Sequence, residues 1–387
     1  MSPDDLSRER LARLALAGTR EPGDLWLAKA MAEVEGAAEL YDHLRSARRR
    51  SGTAATIAAR LAEGDAERDL ARGERLGLRY VVPGDEEWPD QLHDLAYAED
   101  ETNGTGGAPL GLWLRGPLRL DALGRSVAIV GSRSATTYGA DVAAQIGAEC
   151  AVEGWTVVSG GAVGIDVAAH RGALAAGGPT VAVLACGADR VYPTGHQQLI
   201  EHLAAEGLVV SETIPGGAPY KGRFLTRNRL IAALTRGTVV VEAALRSGAL
   251  NTATWATRMN RPLMGVPGPV TSATSEGVHE LVRSGRASLV TNGRDVLELV
   301  GEMGAHTLST PRGPERRHDR LTATQKQVLE AVPAQAPAVA GSIARTAGLG
   351  IDPTLVTLDE LLAEGLVTTA GHGWVLARLP VEGAHSA

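Results

Sequence analysis

The sequence predicts an α/β protein centred on a doubly wound, mainly parallel sheet, and two observations carry that expectation. From Leu110 onward, short unbroken apolar runs alternate with Ala-, Gly- and Leu-rich helical segments. Strands buried on both faces read as continuous apolar runs, and the intervening helices mark crossovers between parallel strands. Second, several runs end in loops of small residues, the place where open α/β sheets bind ligands. Aromatics make up only 3% of the 387 residues against 47 glycines, so the core is expected to be built largely from Ala, Val and Leu. This length allows two or three domains.

Residues 1–75 are rich in Ala, Leu, Arg and Glu with helical spacing, as in Leu6, Leu11 and Leu14, then Leu25, Ala28 and Met31. They read as a small all-helical domain, broken at 18–23 and restarted by Asp24 as a cap. Arg45, Arg48, Arg49 and Arg50 form a basic run that reads first as a solvated helix end. Segment 78–97 reads as a strand and a tethering turn at Trp88-Pro89. Residues 98–108 read as a polar, Gly-rich loop that does not pack.

The α/β domain is expected over 76–301, with strands at 112–115, 127–130, 156–159, 180–184, 208–211, 238–241 and 263–266. A Pro- and Arg-containing linker follows at 302–320. The module at 321–380 shows three helices (323–332, 339–347 and 353–364) and two short strands around Gly371-His-Gly373, the order of a winged helix-turn-helix. Its presumed recognition helix carries Asp352, Asp359, Glu360 and Glu364 and no Lys or Arg. A phosphate backbone repels such a helix, which favours a protein-contact or dimerising role over duplex reading.

Composition narrows the function. The start, Met1-Ser-Pro-Asp-Asp, lacks a basic segment followed by an apolar run, and no apolar run approaches the roughly 20 residues of a membrane helix. Cys150 and Cys186 lie far apart in apolar settings and read as core thiols of a reducing compartment. A cytoplasmic protein without membrane contact is expected. No metal site is expected, since no Cys/His cluster is present, and no H-E-x-x-H or G-x-S-x-G occurs. Dinucleotide binding lacks its G-x-G-x-x-G and its acidic residue after the second strand. ATP hydrolysis lacks a P-loop, so no cofactor is expected. Asp166 and His170 share a helix face, which suits an acid/base pair, but an Asp in a favourable first turn beside a polar His accounts for them better.

The chain carries a net charge of -7, yet no Asp or Glu occurs between Glu212 and Glu242, while Lys221, Arg223, Arg227, Arg229 and Arg236 do. Phe224, the single phenylalanine, sits among them. Two readings fit: a surface for a ligand bearing phosphates and bases, or a solvated basic helix with Phe224 in the core. Three loops at strand ends favour the first. They are Gly131-Ser132-Arg133, Gly160-Gly161-Ala162-Val163-Gly164 and 243–252 with Ser247, Gly248 and Thr252. Glycine admits close backbone approach, and helix N-termini offer free N–H groups to phosphate oxygens. On this placement Lys221 and Phe224 precede a helix, Leu230, Ile231 and Leu234 anchor it, and Arg236 falls away from the site.

These residues resemble the DNA-processing protein A (DprA/Smf) family. The resemblance lies in Val127-Ala-Ile-Val-Gly-Ser-Arg133, Val158-Ser-Gly-Gly-Ala-Val-Gly-Ile-Asp166 with His170, and Lys221-Gly-Arg-Phe-Leu-Thr-Arg-Asn-Arg-Leu-Ile231. It continues in Val239-Val-Val-Glu-Ala243 with Ser247-Gly248 and Thr252-Ala253, then Val266-Pro-Gly268. The motifs run in the family's order over about 125–300, and the flanking modules match more loosely. The resemblance implies an extended Rossmann-like domain that binds single-stranded DNA, forms a homodimer and loads RecA recombinase, without catalysis, during natural transformation. It implies that Arg133 and Lys221 hold phosphates, that Phe224 contacts a base and that the 160–164 loop lies against the strand. Arg227, Asn228 and Arg229 then line or shape the same pocket. Two alternatives remain. A nucleotide phosphoribohydrolase of the Lonely-Guy type uses a P-G-G-x-G-T-x-x-E signature, whereas 246–255 here lacks the glutamate. A sequence-specific regulator acting through the winged helix is weakened by that helix's acidity.

Overall fold

A computed structural model describes residues 2–46, 52–102, 104–302 and 317–377. The chain divides into two compact units, Met1–Leu308 and Ser309–Ala387. Arg48, Arg49 and Arg50, and residues 303–316 of the expected linker, lie outside the described residues.

The first unit opens with five helices: α1 (Pro3–Ala17), α2 (Leu25–Ala32), α3 (Ala37–Ser46), α4 (Gly52–Glu63) and α5 (Ala66–Arg75). Ser2 and Asp5 form a reciprocal capping box at the start of α1, and the Asp24 carboxylate accepts the N–H of Leu27 to start α2. These helices bury one cluster among themselves, around Leu16, Leu40 and Ile57. They also close one face of the sheet, because Leu14, Ala66 and Leu70 pack with Tyr80, Trp113 and Val209. Gly73 of α5 makes this approach feasible, since a β-carbon there would lie 2.0 Å from the Trp113 ring.

Then follow β1 (Arg79–Val81), β2 (Glu99–Asp100), β3 (Thr105–Gly106), β4 (Leu112–Arg115), β5 (Ser126–Val130), α6 (Thr137–Val152), β6 (Thr156–Ser159), α7 (Ile165–Ala175), β7 (Thr180–Leu184), α8 (Gln197–Glu206), β8 (Leu208–Ser211), α9 (Lys221–Ala233), β9 (Thr238–Val240), α10 (Ala249–Arg258), β10 (Leu263–Gly265), α11 (Glu276–Arg283), β11 (Ser288–Leu289) and α12 (Gly293–Val300). The nine-stranded sheet has the order β1-β4-β8-β7-β6-β5-β9-β10-β11. Only β1–β4 and β4–β8 pair antiparallel. The fold is therefore the expected doubly wound α/β sheet. Its central strands are buried along their whole length, and short hydroxyl side chains fasten them to neighbouring backbone. Ser159 Oγ donates to Ile129 O and Ser211 Oγ to Cys186 O, both at 2.6 Å. Buried polar atoms persist in such a core because they are paired.

Two parts differ from the sequence expectation. Segment 98–108 packs after all: β2 and β3 pair antiparallel, Asp100 is buried, and Gly106 donates its N–H to Gly23 O at 2.9 Å. Its charge and glycines suggested a solvated loop, but Gly106 lets the backbone lie against Leu25. Strand β11 was not foreseen, because its two residues are exposed and carry no apolar run.

Cys150 and Cys186 are free, buried thiols, pushed up by burial to about 12 and about 11. His170 is fully buried on α7. Thr180 Oγ1 gives its hydrogen to Val157 O and so accepts from His170 Nδ1 at 2.7 Å, leaving Nε2 without a partner. Burial, with the charges of Arg227 and His196, pushes this imidazole down to about 3. The unfolded chain titrates His near 6.5, so it binds the extra proton first as pH falls. Stability contributed by His170 is thus complete above about 6.5 and is lost on acidification toward 3. We expect about 2 kcal/mol of it to vanish between pH 6.5 and 5. Urea melts across that range should show a flatter pH dependence for His170→Gln.

In the second unit α13 (Ala323–Ala331), α14 (Ala340–Ala347) and α15 (Ile351–Ala363) enclose a core of Val328, Leu329, Ile343, Leu358 and Leu361. The antiparallel pair β12 (Val367–Ala370) and β13 (Gly373–Leu376) follows, giving three helices and a hairpin in the expected order. Among the described residues no helix is long and apolar enough to cross a membrane.

Candidate nucleic-acid interface

The strand order reverses at β5, which has β6 on one side and β9 on the other. Connections leaving the carboxyl ends of β5 and β9 therefore part to opposite faces, and a crevice opens between them. Here it is a cleft of about 860 Å³, walled by the loops after β5 and β9 and by the start of α9.

The loop after β5 is drawn tight. Gly131 has no room for a β-carbon, which would lie 2.6 Å from the Ile165 side chain and 2.8 Å from Glu242 O. Ser132 N–H donates to Glu242 O at 2.7 Å. The Glu242 carboxylate accepts Thr136 N–H and Oγ1–H at 2.9 and 2.6 Å, which fixes the start of α6 rather than facing the cleft. Arg133 is thereby held at the rim, its guanidinium carbon 4.7 Å from the centre of the Phe224 ring. Tyr192 meets the same ring at 5.7 Å with a 55° tilt. A cation–π contact of an exposed cation with a half-buried ring contributes about 0.5–1 kcal/mol, so it orders Arg133 without using its hydrogen-bonding edge.

Helix α9 starts at Lys221, so Lys221 and Phe224 lie in its first turn rather than before it. Tyr220 is extended, and nothing after Pro219 interrupts helical geometry. No side chain caps α9, Ser247 Oγ accepts the Ala249 N–H at 3.3 Å ahead of α10, and neither helix has an acidic residue in its first turn. Both N-termini line the cleft, at Tyr220-Lys221 and Gly248-Ala249, and so present positive dipole ends to it, while in α10 the N–H groups of Ala249, Leu250 and Asn251 are already taken by Ser247 and Gly248. Asn228 Nδ2 donates to Gly248 O at 3.2 Å and joins the two helices.

Arg227 forms the floor. It is buried, its Nη1 donates to Val183 O at 2.7 Å, and Nε has no partner. Burial pushes its guanidinium down to about 10 against the pull of Asp166, and the same burial raises the Asp166 carboxyl above its usual range. Asp166 accepts the Ala162 N–H at 3.3 Å and so closes the loop ahead of α7. It anchors this loop, and His170, occupied with Thr180, does not meet it as an acid/base partner. Among the described residues no three His, Cys, Asp or Glu side chains gather as a metal site.

Of the sequence-predicted residues, Gly131, Ser132, Arg133, Ala162, Lys221, Phe224, Arg227, Asn228, Ser247, Gly248 and Thr252 line the cleft together. Gly160, Gly161 and Gly164 stand behind it. A β-carbon on Gly160 would lie 1.9 Å from Arg227 Nη1, and Gly164, at φ +88, would meet Ser132 O at 2.3 Å. Arg229 also stands behind, fully buried and paired in a fork with Glu212 at 2.7 and 2.8 Å. Arg236 is remote, donating to Gly124 O. Sequence reasoning did not select Tyr192, Tyr220 or Arg246, which line the cleft as well. Arg246 had a signal, a cation within the small-residue loop, whereas Tyr192 had none. Arg133, Lys221 and Arg246 are exposed, and none makes an ion pair among the described residues.

Residues 79–301 match the family model of DNA recombination-mediator protein A. The chain is 43% identical to a putative DNA processing protein DprA of Mycobacterium tuberculosis, over 94% of this chain and 93% of that one. It is 35% identical to protein Smf of Escherichia coli over 65% of this chain and 68% of that one. The crystal structure of DNA processing protein A from Streptococcus pneumoniae superposes with a TM-score of 0.62 at 31% identity, covering 76% of this chain and 98% of that one. Family model, near full-length identity and shared fold agree, and the chain belongs to the DNA recombination-mediator protein A family.

Proposed function

We propose that the chain binds single-stranded DNA in the cleft between β5, β9 and α9. There it acts without catalysis, protecting incoming strands and loading RecA recombinase onto them during natural transformation, as a homodimer. The observation that carries this reading is the Arg133–Phe224 stack beside two helix N-termini that hold no acidic residue. Such a rim takes a backbone phosphate and the face of an unstacked base, and it leaves base edges largely unread. Arg133 and Lys221 hold phosphates, Phe224 with Tyr192 receives a base, and Arg227 and Asn228 shape the floor. Gly131, Ser132, Ser247, Gly248 and Thr252 bring backbone close to the strand, while Gly160, Gly161 and Gly164 keep the loop ahead of α7 in place. The helical segment 1–75 and the module 321–380 flank this domain, and the acidic face of α15 suits protein contact.

A titration of one oligonucleotide as single strand and as duplex, at two salt concentrations and again with RecA, tests the reading. We expect the single strand to bind at least ten-fold tighter, because a duplex base cannot leave its stack to reach Phe224 without a cost of a few kcal/mol. RecA should assemble faster on the bound strand. Equal binding of both forms would overturn the single-strand assignment. Hydrolysis of a nucleoside monophosphate would instead support the phosphoribohydrolase alternative.

A further inference from the structure

The cleft uses Lys221 but leaves unexplained a second group of cations just outside it. The segment leading into α9 turns at Gly216, whose φ of +83 favours glycine, and a β-carbon there would lie 2.7 Å from Nη2 of Arg72 on α5. Arg190, on the connection after β7, reaches the same glycine, its Nη1 donating to Gly216 O at 3.0 Å. Both side chains are exposed, and neither is ion-paired among the described residues. Two like charges brought to one glycine repel one another.

Asp189 and, on α5, Glu67, Asp69 and Glu74 offset part of that charge, but none forms an ion pair with Arg72 or Arg190 among the described residues. Asp189 accepts the Gly216 N–H with both oxygens, at 2.8 and 3.0 Å, and so holds the turn in place. Asp69 makes no ion pair among the described residues, and burial raises its carboxyl above its usual range. On α5, Arg68, Arg72 and Arg75 stand at i, i+4 and i+7, one exposed stripe. This group adjoins the cleft: Gly216 is three residues from Pro219 and Arg190 two from Tyr192, and both Pro219 and Tyr192 line it. Three residues span at most about 11 Å.

We infer that a strand held in the cleft continues over the 213–220 loop, where Arg72 and Arg190 grip a further backbone phosphate. Arg68 and Arg75 extend the track along α5. The ligand is phosphodiester rather than base, because planar guanidiniums fit phosphate oxygens as a fork and α5 offers no aromatic platform. The helical segment thereby shares the strand with the sheet domain. This inference rests on the reading of the cleft as a single-strand site.

Binding of labelled oligothymidylates of about 4 and about 20 nucleotides, across a salt series, separates the two ideas. With the full chain, Arg72→Ala/Arg190→Ala should bind the short strand as the parent does and the long strand about ten-fold more weakly. Its salt slope on the long strand should fall by about 0.7, the share of one phosphate on a single strand. Arg72→Lys/Arg190→Lys should retain the slope, and melting temperatures should match the parent's, which a loop-holding role for the pair would not give. Parental affinity of the alanine variant for the long strand, or equal loss on both lengths, overturns the second contact and leaves the cleft intact. A parent chain that binds neither oligonucleotide sinks the cleft reading, and the second contact with it.

Discussion

Arg133→Ala and Lys221→Ala are each expected to weaken single-strand binding about ten-fold, and together about a hundred-fold. Each cation has its charged end free at the cleft rim, so each supplies a charge-assisted contact of about 1.5 kcal/mol or more. The double variant should also lose about 1.4 from the slope of log affinity against log salt, since two released phosphates contribute about 0.7 each on single strands. Phe224→Ala serves as the contrast. It removes a stacking face of about 1–3 kcal/mol and should lower affinity while leaving the slope unchanged. Because Arg133 lies over Phe224 at 4.7 Å, the pair should couple in a double-mutant cycle. Fluorescence titrations at several salt concentrations read both quantities. An unchanged slope in the double variant would remove these two residues from phosphate contact.

Arg229→Ala is expected to be the most destabilising of the single changes considered, at about 3–5 kcal/mol. The Arg229 side chain is fully enclosed, and its fork to Glu212 ties α9 to the end of β8. Removing the guanidinium leaves a nearly buried carboxylate without its counter-charge, which costs more than the pair itself contributes. Thermal melts should fall by roughly 10 °C for this size of chain. Adding Glu212→Gln should return part of the loss, because the stranded charge is then gone. A variant that melts with the parent would show that Glu212 reaches solvent when unpaired.

Arg227 and Arg229, two of the three arginines of α9, show where the sequence was legible and where it was not. Charge pattern marked Arg227 and Arg229 alike as candidates for the cleft. A helix turns about 100° per residue, so two positions apart they face nearly opposite ways, and only the packing decides which faces the ligand. The cleft took Arg227, and Glu212 took Arg229. The strands were readable because burial on both faces leaves a plain apolar run, and the loops after β5 and β9 because tight strand–helix turns demand small residues. Tyr192 could not be read, since its position against Phe224 depends on β7 and α9 meeting across the sheet. Segment 98–108 was misread for a similar reason: composition reports solvation preference, whereas its fate hangs on contacts with Gly23 and Leu25.

Those contacts bear on where the chain can be cut. Glu21 binds Arg223 through both carboxylate oxygens, at 2.8 and 3.0 Å, and Gly23 sits against Thr226 and the Arg229 side chain. The turn between α1 and α2 is thus a brace on the helix that forms one wall of the cleft. A protein shortened to start after residue 75 would keep every sheet strand yet lose that brace and expose Trp113 and Tyr80. The composition change at residue 75 marks where the sequence alters its style, and it falls within one compact unit, Met1–Leu308.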